Sequence, residues 1–312
     1  MVKNALNCNI KKTLEPIMQL YTHTFKAMAS PCTLKFYCND IVAAQKIFLA
    51  VEEKTRLFEK RYSRYLPFSI VSKINNANGE AIKVDEETAK LLNFATVAWK
   101  ISGGLFDITS GAFRTVWDFK NGTVPTSKQI KNVLALVGWE KVKWDGETLQ
   151  MPAGMQIDFG GIVKEYATDA ARTLAESMGV EHGLVELGGD ISVIGPHLDG
   201  SPWKIALQHP DHKDIDVVVE IGRGCVASSG DYERYFEQDG KRYCHIINPL
   251  NGQCAQGVAG VSVIAPHCVM AGTITTTALL KGPQFALDYL AETGLHHQLY
   301  LRDYTGEAVL AS

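Results

Sequence analysis

Asp158-Phe159-Gly160-Gly161-Ile162-Val163-Lys164-Glu165-Tyr166-Ala167-Thr168-Asp169 stands at the middle of the chain, and the fold turns on how it is read. Before it, Leu149 to Ile157 reads as strand, a turn at Pro152-Ala153-Gly154, and strand again. After it, Ile162, Tyr166, Ala170, Leu174 and Met178 recur at helical spacing. A carboxylate therefore closes a strand, a glycine pair makes a tight turn, and a helix begins with Asp158 near its N-cap. A helix start leaves unpaired N–H groups and a positive dipole end, which suits a phosphate. On these residues alone an ordinary strand-to-helix connection is the simpler reading. The glycine pair is not a GxGxxG fingerprint, and the chain has no GxxxxGK[ST] loop.

Towards the N-terminus, Thr22–Phe25 and Thr33–Tyr37 read as a strand pair around Met28-Ala29-Ser30-Pro31. Asp40 caps a long helix to about Arg61, with Ile47, Val51 and Leu57-Phe58 on one face. Ser63 to Ser69 is a loop, and Asn75 to Gly79 a turn cluster. Asp85 caps a second helix, with Glu86 and Glu87 in its first turn and a buried stripe of Leu91, Leu92, Ala95 and Ala98; it stops at Gly103-Gly104. Ser127 caps a third helix through Val137, and Lys141 to Met151 is a hairpin turning at Asp145-Gly146.

Beyond Gly183 the pattern is mostly strands: Leu184–Leu187, Ile191–Ile194, Trp203–Gln208, Val217–Ile221, Cys225–Ala227, Tyr243–Ile247 and Val261–Ala265. Helices from about Val269 to Lys281 and Gln284 to Glu292 follow, then a hairpin of Gln298–Arg302 with Ala308–Leu310. Clustered strands with helices outside them predict an α+β fold of largely antiparallel sheets flanked by helices. Residues 1–20 read as an N-terminal extension and 21–312 as a single domain, with no internal repeat or linker.

A hydrophobic fraction of 46% over 312 residues is enough for a large core. A net charge of -3, with scattered basic residues, argues against a nucleic-acid surface. No stretch has the length of a membrane span and no secretory signal is visible. Seven cysteines without a CxxC pair, several in apolar runs, read as reduced buried thiols of a cytoplasmic protein, and a zinc site is not expected.

Five polar motifs, read as lying beside glycine, interrupt the apolar elements. They are Phe106-Asp107-Ile108-Thr109, Asp158 to Lys164, Glu186 to Asp190, Ser228 to Arg234 and His245-Ile246-Ile247-Asn248-Pro249. Each alone describes a turn; together they suggest a cleft built from loops at strand ends. They offer glycine backbone for phosphate, Lys164 and Arg234 as countercharges, carboxylates for a cation or ribose, and His245 as a base.

With Ser63-Arg64-Tyr65, Gly104-Leu105-Phe106-Asp107-Ile108-Thr109, Gly188-Gly189-Asp190 and Ser229-Gly230-Asp231-Tyr232 in the same order, the chain from Met28 to Gly282 resembles the FAD:protein FMN transferases, the ApbE-like family. The resemblance implies an FAD cleft between two lobes, with magnesium at the pyrophosphate. It implies transfer of FMN from FAD to a Thr or Ser of an acceptor flavoprotein, with release of AMP. Met28, Tyr65, Leu105, Phe106, Asp107, Asp158, Lys164 and Ile246 would line the cleft, and Asp107 and Asp158 would meet polar parts of the nucleotide rather than pair with core cations. His245 would take the acceptor's proton. The backbone of Gly161 and the hydroxyls of Thr275 and Thr276 would face the metal.

Two departures stand out. Gly272 replaces the family's metal-binding aspartate, and Glu165 replaces a glycine beside Lys164. On a helix Glu165 points about a quarter-turn from Lys164, so it is expected not to compensate, and magnesium binding is expected to be weak or absent. An FAD pyrophosphatase giving FMN and AMP, and a non-catalytic FAD-binding homologue, are the alternative activities.

Overall fold

In a computed structural model that describes residues 17–212 and 215–311, the chain opens with a hairpin of β1 (Gln19–Ala27) and β2 (Ser30–Cys38). The pair Ala27↔Ser30 closes it, so Met28 and Ala29 are a two-residue turn. Both have positive φ, 52° and 60°, which the right-handed twist of a hairpin favours but a Cβ disfavours. Relief of a left-handed alanine is worth about 1–2 kcal/mol, and a looser unfolded chain takes back about 0.4–1. Ala29→Gly is therefore expected to stabilise the fold by about 0.5–1 kcal/mol, measured by urea denaturation.

Asp40 caps α1 (Ile41–Tyr62), its carboxylate accepting from the N–H groups of Val42 and Ala43. Ser69 caps a short α2 (Ile70–Asn75), where sequence alone gives no helix. β3 (Ile82–Lys83) precedes α3 (Glu86–Ile101), which Asp85 caps as expected. A 3-10 run over Ile108–Thr115 was not foreseen. α4 (Ser127–Leu134) starts one residue differently from expectation: Thr126 is the cap, in a reciprocal box with Gln129, and the helix ends at Leu134 rather than Val137. β4 (Lys143–Trp144) and β5 (Thr148–Gln150) form the expected hairpin.

The second strand expected over Met155–Ile157 does not form. The Asn75 side chain donates to the Ile157 carbonyl (3.0 Å) and accepts from its N–H (2.8 Å), so one amide does what a neighbouring strand would. The central helix, α5 (Val163–Ser177), begins later than expected: its N-cap is Ile162, not Asp158. Its buried residues include the polar Glu165, Thr168 and Arg172 as well as Ala167, Ala171 and Ala175, while Met178 at the end of the expected apolar stripe is exposed.

β6 (Gly183–Leu187), β7 (Asp190–Gly195), β8 (Trp203–Gln208), β9 (Ile215–Ile221), β10 (Gly224–Gly230), β11 (Tyr235–Gln238), β12 (Lys241–Cys244) and β13 (Val258–Ala265) follow. The strand expected to reach Ile247 stops at Cys244, and Ile247 keeps only a bridge to Cys254. Then come α6 (Cys268–Lys281), α7 (Pro283–Glu292), β14 (His297–Arg302) and β15 (Ala308–Leu310). Eight strands make one sheet in the order β1-β2-β6-β7-β10-β13-β14-β15, and its pairs are antiparallel. The fold is α+β, as the sequence pattern predicts.

Period-two alternation puts Val185 and Leu187 into the core beneath α1 and α5, and Leu184 into the opposite core. The β8–β9 ribbon covers that second face through Trp203, Ile205 and Leu207. No described helix is long and apolar enough to cross a membrane. Cys32, Cys225, Cys244, Cys254 and Cys268 are buried free thiols; Cys8 and most of the expected extension, residues 1–16, lie outside the described residues.

Candidate active site

Asp158 carries two arginines. Arg64 Nη1 lies 2.5 Å and Arg114 Nη2 2.6 Å from Asp158 Oδ2, while Oδ1 accepts from the N–H of Gly160 at 2.9 Å. Arg64 also reaches the Tyr65 hydroxyl, and its guanidinium lies 4.4 Å from that ring's centre. Tyr65 is otherwise open to solvent, 76% exposed, so the arginine is what holds it at the site. This corrects the expectation for Asp158, which does pair with cations. The close approach explains Gly111: a Cβ there would lie 2.9 Å from the Asp158 Cβ.

Asp107 is corrected too. Its Oδ1 accepts from the N–H and hydroxyl of Thr109 (2.7 and 2.6 Å), and its Oδ2 from the N–H of Trp139 (2.8 Å). It caps the 3-10 run and ties it to the turn before β4, so the role seen is structural. Burial raises its pKa against the pull of those donors. Its neighbours stay near the site: the Phe106 ring lies 3.7 Å from where a Gly161 Cβ would be. Leu105 and Ile246 pack against a further apolar cluster that includes Phe113, Trp117, Ile130 and Cys254.

Lys164, in the first turn of α5, turns to β7. Its Nζ is 2.9 Å from Asp190 Oδ2 and donates to the Gly188 carbonyl at 2.9 Å. Asp190 is 1% exposed. Burial works against the ammonium, but the carboxylates of Asp190 and Glu165 outweigh it and hold the lysine charged. One of its three protons is taken by Gly188 and the ammonium is ion-paired with Asp190, which leaves donor capacity for a ligand. The Met28-Ala29-Ser30 turn abuts the same clasp, since a Cβ on Gly188 would meet Ser30 at 2.7 Å and Lys164 Cδ at 3.3 Å.

His245 follows β12. Its Nδ1 is buried with no partner among the described residues, and its N–H donates to the Arg234 carbonyl at 3.0 Å. Burial, then the charges of Arg234, Lys164 and Arg64, push its pKa down to about 4, so the imidazole is neutral at ordinary pH. Arg234, Lys164 and Arg64 thus all disfavour the imidazolium of this histidine. No side chain caps α5, and the N–H of Val163 donates to the Phe159 carbonyl at 2.8 Å.

The third group lies between α5 and α6. Asp169 Oδ1 and Oδ2 accept from the N–H groups of Cys268 (2.9 Å) and Val269 (3.0 Å), capping α6 from a neighbouring helix. Asp169, Cys225 and Cys268 are spaced closely enough for a metal, but this cap accounts for the carboxylate. Asp169→Ala is expected to cost about 1–2 kcal/mol of stability with no change in ligand affinity, checked by thermal melts and titration calorimetry. One turn back on α5, Glu165 meets Gly272 of α6: a Cβ at 272 would lie 2.7 Å from Glu165 Cγ. The quarter-turn from Lys164 is as expected, but it aims Glu165 at position 272 rather than away from it. Thr275 Oγ1 is 2.8 Å and Thr276 Oγ1 3.4 Å from Ser229 Oγ on β10.

Arg64, Arg114 and Asp190 carry contacts that sequence reasoning assigned to no role. Arg64 and Asp190 sit inside quoted motifs, so the signal was adjacency; Arg114 gave none.

A family model described as the ApbE family matches residues 28–299. The chain is 32% identical over 275 residues to a Klebsiella pneumoniae protein named FAD:protein FMN transferase, covering 84% of this chain and 82% of that one. A Vibrio cholerae protein of the same name is 31% identical over 244 residues, 74% and 73% of the two chains. Among solved structures, the ApbE protein of Thermotoga maritima superposes with a TM-score of 0.86 at 31% identity, over 94% of this chain and 97% of that one. The flavinyl transferase ApbE of Pseudomonas stutzeri gives 0.85 at 28% identity, over 95% of each.

Proposed function

The chain belongs to the ApbE family, and from that premise we propose that it is an FAD:protein FMN transferase, moving FMN from FAD to a Thr or Ser hydroxyl of an acceptor flavoprotein. The observation that carries the reading is a half-buried, neutral His245 whose buried Nδ1 has no partner among the described residues and whose imidazolium Arg234, Lys164 and Arg64 all disfavour. A pyrophosphate needs countercharge, and an acceptor hydroxyl needs a base that is not already protonated.

In the step, the acceptor oxygen attacks the flavin-side phosphorus and a new P–O bond forms. The bond from that phosphorus to the bridging oxygen breaks, and AMP leaves with that oxygen. The hydroxyl proton passes to His245. Lys164, held by Asp190 and Gly188, keeps donor capacity for the phosphates. Arg64 places Tyr65 beside Asp158 at the mouth, where an aromatic ring suits a flavin.

Magnesium, when bound, supplies further charge neutralisation at the pyrophosphate. Thr275, Thr276 and the backbone of Gly161 are the oxygen donors that would hold it, and the buried, unpartnered Glu165 Oε2 beside position 272 fits a hard cation. A cytoplasmic location is the reading that the free buried thiols favour.

The test is to incubate the purified protein with FAD and magnesium, with and without an acceptor flavoprotein. AMP released only with acceptor, and flavin joined to it, supports the transferase. AMP released without acceptor means a pyrophosphatase; FAD binding without AMP means a binding protein.

A further inference from the structure

Glu165 and Asp169 lie one turn apart on the face of α5 that meets α6. Asp169 is accounted for as the cap of α6. Glu165 is not. It is 8% exposed, and its Oε2 has no partner among the described residues. A buried carboxylate oxygen without a donor is costly, and Oε2 is free to take a ligand. Opposite stands a glycine in mid-helix, itself unfavourable without a packing reason. A Cβ at 272 would lie 2.7 Å from Glu165 Cγ, 3.0 Å from Cδ and 2.9 Å from Oε1. The glutamate therefore fills the space a side chain at 272 would use, and the two are mutually exclusive.

Oxygen donors are linked to position 272 on the α6 side. The Gly272 carbonyl accepts from the Thr275 hydroxyl at 3.0 Å, and that hydroxyl is 2.8 Å from Ser229 Oγ. Lys164, the adjacent cation in sequence, is turned to Asp190 instead.

We propose that Glu165 supplies from α5 the carboxylate ligand for the divalent cation that position 272 of α6 does not supply in this chain. The carboxylate has been moved across the helix pair rather than lost. This rests on the transferase reading, since FAD phosphates would provide the remaining anionic oxygens.

Manganese(II) is the probe, titrated into the full-length protein with and without FAD and read by electron paramagnetic resonance. The unmodified chain is expected to bind it in the presence of FAD. Glu165→Gln, nearly isosteric, is expected to weaken that binding about tenfold or more, with FAD affinity measured without metal unchanged. The double variant Glu165→Gly/Gly272→Asp returns the carboxylate to α6 and is expected to restore binding, which keeps the test open if Glu165→Gln folds poorly. Equal manganese affinity in Glu165→Gln, failure of the double variant to bind, or no binding by the unmodified chain with FAD, would overturn the proposal and leave Glu165 as a packing residue. The transferase reading is judged separately, by AMP release with acceptor, and can fail while manganese binding holds.

Discussion

Replacing His245 by glutamine is expected to slow flavin transfer by about 10²- to 10⁴-fold, the usual contribution of a placed general base, with FAD affinity little changed. The unpartnered Nδ1 and the low pKa, about 4, motivate it. The pH profile separates this role from a structural one. Burial and the cations Arg234, Lys164 and Arg64 all disfavour the imidazolium, so the neutral base persists down to about pH 4 in the free enzyme. The acid limb of kcat/KM is expected there. Bound pyrophosphate cancels part of the cationic field and favours the imidazolium, so the acid limb of kcat lies at higher pH. The glutamine variant loses both limbs. A variant with full activity, or an acid limb unmoved by the substitution, would show that His245 is not the base.

The second large effect concerns Lys164. Lys164→Met leaves Asp190, 1% exposed, without its half-buried cation, and orphaning that carboxylate costs up to about 3–5 kcal/mol. In urea denaturation that loss is expected directly. Adding Asp190→Asn removes the orphaned charge and is expected to recover much of the stability. Neither variant is expected to release AMP, because the cation facing the pyrophosphate is absent in both. A loss below about 1 kcal/mol would mean that Asp190 is not ionised in the fold. Full activity in the double variant would show that Lys164 only supports the strand connection.

Local rules carried much of the fold. Asp40 and Asp85 sit as N-caps, Asp145-Gly146 turns its hairpin, and α6 and the last hairpin lie near their expected bounds. Each depends on residues a few positions apart, which a sequence displays directly. The residue types of the site were legible for the same reason, as short motifs beside glycines, and their joint order pointed to the family that the comparisons show.

What the tertiary structure decided is which group each polar side chain meets. Asp158 meets Arg64, 94 residues away, and Asn75 satisfies Ile157, 82 residues away. Asp107 and Asp158 end apolar runs alike, yet one is used up by backbone donors and the other by two arginines. The case of Glu165 is the clearest. Helical geometry alone gives its direction relative to Lys164, but not what stands there. Only the packing of α5 against α6, fixed by the Asp169 cap on Cys268 and Val269, brings the glutamate onto Gly272. A chain's own sequence sets angles along a helix; distances between helices come from burying their shared face, and that is settled by the whole core at once.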